Sequence, residues 1–124
     1  MSESAKRRIL VLDANEPYRR YVVRILLGAG FDVLEAGDFA SAMALVEGTQ
    51  RIDLLLAAIG MPAQTPQGMS IARMSLIRRH ALKIIYMTTS DAKYCARYAN
   101  EAVLQKPFAS DVLIDAVRAA FQYA

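Results

Sequence analysis

The sequence predicts an α/β protein built on a parallel sheet with helices packed on both faces. Short apolar runs of strand character alternate with longer amphipathic stretches five times along the chain. Three of the runs, Ile9–Leu12, Leu54–Leu56 and Ile84–Met87, are continuously apolar, as strands buried on both faces must be. Parallel strands need crossovers, and helices returning with right-handed connections supply them. The length of 124 residues is that of one domain, and 55% apolar residues can fill its core without staples.

The strands read as Arg8–Asp13, Asp32–Glu35, Asp53–Ile59, Lys83–Thr88 and Ala102–Gln105. A first helix is predicted from Pro17, at a first-turn position, to Leu27, with Tyr18, Val22, Ile25 and Leu26 on one face, Arg20 and Arg24 on the other, and Gly28 ending it. A second starts after Asp38 as N-cap and carries Phe39, Met43 and Val46 inward before Gly48. The third runs from Gly68 to His80, and the fourth follows Ser90-Asp91 to about Asn100. The fifth begins at Ser110 and spaces Leu113, Val117, Ala120, Phe121 and Ala124 on one face to the end of the sequence. A polar tail over residues 1–7 and a single domain over 8–124, with no output domain, are expected.

Composition removes several function classes. A lone cysteine, Cys95, forms no internal disulfide, and no clustered Cys or His offers a zinc site, which suits a reducing cytosol. The longest charge-free stretch, Leu54 to Ala72, is broken by Gly60, Pro62, Pro66 and Gly68 and fails as a membrane span; no export signal is visible, so a cytoplasmic protein is expected. Net charge is +3, unevenly spread: residues 61–100 carry six basic groups and one acidic, residues 31–60 one basic and five acidic. The basic quarter lacks the aromatic interleaving of a nucleic-acid interface, so nucleic acid is an unfavoured partner.

In open α/β sheets the chemistry sits beyond the carboxyl ends of the strands. Those ends carry Asp13-Ala14-Asn15-Glu16-Pro17, then Ala58-Ile59-Gly60-Met61-Pro62, then Thr88-Thr89-Ser90, then Lys106-Pro107-Phe108. In order and spacing this set resembles the receiver domain of two-component response regulators, from Arg7 to Phe121. The resemblance implies a flavodoxin-like three-layer (βα)5 fold with strand order 2-1-3-4-5. It also places Asp13 at the first of two acidic positions, Thr88 at the hydroxyl position and Lys106 at the lysine, joined to Pro107 by a cis bond. Two positions depart from the family: Ala14 stands at the second acidic position and Ala58 at the phosphoacceptor. Asp53 and the Met61-Pro62 pair fix that second alignment from both flanks.

A methyl at position 58 has no oxygen to phosphorylate, and Mg2+ needs carboxylate, water and phosphate oxygens. With Asp13 and Lys106 alone the pocket charge sums to zero. The sequence therefore predicts weak or absent Mg2+ binding, no aspartyl phosphate, and an ion pair between Lys106 and Asp13. Val103 replaces the family's aromatic switch residue, Thr89 the usual small residue after the Thr, and the loop Met61–Gly68 is longer than usual.

Other candidates have plain structural readings. Asp53 lies at the amino end of its strand, His80 closes a helix at the negative end of its dipole, and Cys95 is a small buried hydrophobe. Arg73, Arg78, Arg79, Lys83, Lys93 and Arg97 form a solvated face or, as a minority reading, a surface for an acidic partner. The function expected is that of a stand-alone, non-enzymatic receiver-like module acting by protein–protein contact in phosphorelay signalling. Its partner would be a histidine kinase, another receiver or an adaptor, or a second copy. The family implies docking through the fourth predicted helix, fifth strand and fifth predicted helix, a face that would include Lys93, Arg97, Tyr98, Arg118 and Phe121. The competing readings are a conventional phosphorelay receiver with an unorthodox acceptor, and nucleic-acid or acidic-partner binding through the basic region of the third and fourth predicted helices.

Overall fold

A computed structural model describes residues 6–59, 68–89 and 102–122. The fourth predicted helix, with Lys93, Cys95, Arg97 and Tyr98, lies outside the described residues, as does the loop over 60–67. Five strands form one parallel sheet in the order β2-β1-β3-β4-β5: β1 Arg8–Leu12, β2 Asp32–Ala36, β3 Leu54–Ala58, β4 Lys83–Thr88 and β5 Ala102–Gln105. The described helices are α1 Glu16–Gly28, α2 Phe39–Glu47, α3 Gly68–Arg78 and α4 Ser110–Gln122, the last being the fifth predicted helix.

The continuously apolar runs became the central strands because only there are both faces covered. Every residue of β3, from Leu54 to Ala58, is buried, and Ile9 to Leu12 are inaccessible to solvent. The edge strand β5 is short, with both ends exposed. Asn15 caps α1 by accepting the Tyr18 N–H at 3.1 Å, and Asp38 caps α2 by accepting the Ser41 N–H at 2.8 Å. Val22, Val23 and Leu26 of α1, Ala42, Met43 and Val46 of α2, and Leu113 and Val117 of α4 turn into the core. Gly30, with φ of +96°, makes the turn from α1 into β2, a conformation only glycine adopts without strain.

Most element ends fall within a residue of the sequence reading, and one larger difference has an identifiable reason. Helix α3 stops at Arg78 instead of reaching His80. Beyond it the Arg79 guanidinium reaches across to α2, donating to the carbonyls of Val46 and Gly48 at 3.0 Å each, where a cation meets the negative end of a helix dipole. Before β1, Asp32 N–H donates to the Arg7 carbonyl at 2.9 Å, and Arg51 donates to that of Lys6.

Candidate functional site

Register brings the strand ends together. Leu12 pairs with Ala57, Ala58 with Met87 and Thr88 with Gln105, so Asp13, Ala58, Thr88 and Lys106 lie side by side across four neighbouring strands. The backbone continues the ladder past their ends: Asp13 N–H donates to Ala36 at 3.1 Å, Ile59 N–H to Met87 at 2.7 Å and Lys106 N–H to Thr88 at 2.7 Å.

Lys106 Nζ lies 2.6 Å from Asp13 Oδ2, with the lysine side chain 11% and the aspartate side chain 4% exposed. The other carboxylate oxygen accepts the Asn15 N–H at 3.0 Å. Lys106 also sits over the ring of Tyr18, 4.5 Å from its centroid, a cation–π contact that holds the ammonium between an anion and a ring. The peptide bond to Pro107 is cis. Ala14 and Ala58 contribute only methyl groups, Ala58 being buried at the end of β3. Thr88 is buried at the end of β4, and Val103 in β5 is half-buried opposite Tyr86.

This donor set does not fit a hard divalent cation. Such an ion takes several oxygens, carboxylates foremost, whereas the one carboxylate here already faces an ammonium. Among the described residues no group of three His, Cys, Asp or Glu side chains could hold a metal ion. Glu35, the nearest acidic residue of β2, is engaged by Arg19 at 3.0 Å and Arg20 at 3.5 Å.

Three neighbours escaped the sequence reading as site residues. Arg19, in the first turn of α1, donates to the Asp13 carbonyl at 2.8 Å while holding Glu35; a Cβ at Gly37 would stand 3.0 Å from its Nη1, so glycine leaves room for it. Tyr21 Oη donates to the Phe108 carbonyl at 2.9 Å, and the Phe108 N–H donates to Tyr18 Oη at 3.3 Å. The rings of Tyr18, Tyr21 and Phe108 meet edge to face, at 5.3 and 5.5 Å. Burial pushes the Tyr18 phenol above its usual pKa against the lowering effect of that backbone hydrogen bond, so it stays neutral. The signal was positional: Tyr18 and Arg19 occupy the first turn after Asp13, which sets their side chains over the strand ends.

The two described members of the expected docking face turn elsewhere. Arg118 lines a groove of about 540 Å3 with Arg24 and Ile25 of α1. Phe121 packs on Phe31, ring centroids 6.1 Å apart, just before β2. Residues three apart share a helix face, and this face of α4 looks toward α1 rather than β5. Asp53 stays at the opposite end of the sheet, accepting the Arg8 N–H at 2.7 Å and Arg51 Nε at 3.0 Å.

Comparison with known proteins is consistent with this geometry. The family model described as response regulator receiver domain matches residues 9–118. A response regulator receiver protein from Sinorhizobium medicae is similar in structure, with a TM-score of 0.86 and 26% identity over 95% of this chain and 96% of that one. A CheY-like receiver domain protein from Methanospirillum hungatei gives 0.83 and 20% over 95% of each chain. The response regulator TrrA from Thermotoga maritima, in complex with Mg(2+)-BeF, gives 0.77 and 24% over 92% of this chain and 98% of that one. No curated protein matches the sequence.

Proposed function

The chain belongs to the response regulator receiver domain family of two-component signalling, and from that premise we propose that it signals by protein–protein contact without aspartyl phosphorylation. One observation carries the reading: a buried methyl, that of Ala58, ends β3 where the family places its acceptor carboxylate, while the remaining carboxylate, Asp13, is paired with Lys106 at 2.6 Å. Transfer of a phosphoryl group needs a nucleophilic oxygen and a metal to neutralise developing charge, and these residues supply neither. The contrast is with the Thermotoga relative, whose structure holds Mg(2+)-BeF. On this reading Asp13 and Lys106 hold α1 to the segment after β5 and keep the domain in one conformation. Receiver domains work with histidine kinases and other proteins, and a protein of that kind is the partner proposed here. The domain itself performs no catalysis.

Incubation with acetyl phosphate and Mg2+, followed by intact-mass measurement, tests this. The protein is expected to remain unmodified, and a species heavier by one phosphoryl group would overturn the reading in favour of an unorthodox acceptor. The double variant Ala14→Asp with Ala58→Asp restores the missing oxygens beside Asp13, Thr88 and Lys106, and is expected to gain a hydroxylamine-labile phosphoryl group that requires Mg2+.

A further inference from the structure

Helices α1 and α4 lie beside one another and leave between them a groove of about 540 Å3. Ile25 of α1 and Ile114 of α4, both half-buried, line it with apolar surface. Its exposed lining is charged, with Arg24 on α1 and with Asp111, Asp115 and Arg118 on α4. The four charges sum to zero, but they are sorted: the α1 wall carries only a cation, and the first two turns of α4 carry only carboxylates. No ion pair among the described residues includes any of the four.

Neither helix answers its own charges. Arg24 stands four residues after Arg20, a like charge that Glu16 and Glu35 already hold, and four residues before Gly28, which has no side chain to offer it. Asp111 lies in the first turn of α4, where the helix dipole favours an anion, and its Oδ1 accepts the Val112 N–H at 2.9 Å. Asp115 has neither support. It sits beyond that turn, with Asp111 four residues before it as a like charge. Arg24 and Asp115 are thus opposite charges on facing walls of one groove, each without an ion-pair partner among the described residues. A two-fold axis over the groove supplies both partners at once, because in an isologous contact residue i meets residue j twice. The apolar strip between charged margins is also the usual anatomy of a protein contact, with a dry centre and a polar rim.

We infer that the groove between α1 and α4 docks a second copy of the chain about a two-fold axis, with Arg24 of each copy opposite Asp115 of the other and Ile25 and Ile114 between them. An unlike partner would have to bring both signs of charge at the matching spacing, which a second copy carries of necessity. None of Asp13, Ala58, Thr88 and Lys106 lines the groove, so the proposal stands or falls separately from the signalling reading above.

Sedimentation equilibrium at low ionic strength, over protein concentrations from about 5 to 500 μM, tests it. A reversible monomer–dimer equilibrium is expected, with a dissociation constant below about 100 μM that rises as salt is added. Arg24→Glu and Asp115→Arg, both at exposed positions, should each weaken the dimer roughly tenfold or more with unchanged thermal melting. Mixed together, the two variants are expected to pair with one another, since each offers the charge that the other's groove has lost. The double variant Arg24→Glu with Asp115→Arg should dimerise like the natural protein. A monomer throughout the range would leave the groove to a different protein and overturn the inference. So would a dimer that neither variant weakens, which would place the contact on another face, or two variants that fail to pair on mixing.

Discussion

Replacing Lys106 by methionine isolates the energetic role of the buried pair. The substitution keeps the length and apolar stem of the side chain over Tyr18 but removes the ammonium 2.6 Å from Asp13 Oδ2. The carboxylate side chain left behind is only 4% exposed, and a short aspartate anchored through the Asn15 N–H cannot swing out to water. An unpaired buried charge of this kind costs about 3–5 kcal/mol. For a domain of this size that corresponds to a fall in Tm of roughly 10–20 °C. Asp13→Asn is milder, about 1–3 kcal/mol, because the amide still accepts from Asn15 and the lysine can extend its head toward solvent. The double variant Asp13→Asn with Lys106→Met removes both charges and is expected to cost less than Lys106→Met alone, about 1–2 kcal/mol. Urea unfolding of all four proteins gives the coupling energy, expected to be at least about 2 kcal/mol. A Lys106→Met cost below about 1 kcal/mol, or a double variant as damaging as the two singles together, would refute the assignment of a structural clasp.

Other substitutions report on separate features. The Ser75 hydroxyl is fully buried in α3 and is the one buried side-chain polar atom without a partner among the described residues, so Ser75→Ala should leave stability unchanged or raise it by roughly 1 kcal/mol in chemical denaturation. Tyr21→Phe removes the hydroxyl that donates to the Phe108 carbonyl and should cost about 1 kcal/mol by the same measurement. The N–H of Ser41, and secondarily its side chain, holds the Asp38 carboxyl below its usual pKa. Because the folded value lies below the unfolded one, this cap contributes fully above about pH 4 and its contribution fades as pH falls further. Asp38→Asn, which still caps α2 but carries no charge, should show a shallower loss of Tm across that acid range than the natural protein.

The strands were readable because burial on both faces leaves few residue types to choose from, and β4 and β5 begin and end where the sequence predicted. Helix starts were readable where a side chain caps them, as Asp38 does. The end of α3 was less visible because Arg79 is drawn away by the carbonyls of another helix, a tertiary pull that local periodicity does not contain. The site residues Asp13, Ala58, Thr88 and Lys106 were legible from their places at strand ends, and the sheet assembles them. Tyr18 was legible only as a core-facing residue, since its second role depends on Lys106, far along the chain. The same holds for the groove between α1 and α4: Arg24 and Asp115 lie far apart in the sequence, so no window of sequence displayed the opposite charges that the fold sets on facing walls. For Arg118 and Phe121 the helix was right but the face depends on how α4 settles against α1.

The clasp around Phe108 is built from contacts between distant parts of the chain. Asp13 and Lys106 are 93 residues apart in sequence, Tyr18 and Phe108 90, and Tyr21 and Phe108 87. Closing loops of that length costs entropy that a nearly assembled sheet offsets, so these contacts are expected to form after the folding barrier has been crossed. Weakening them should therefore leave the refolding rate almost unchanged and accelerate unfolding. The Asp13–Lys106 pair and the rings around Phe108 would then govern how long this protein persists in its folded state.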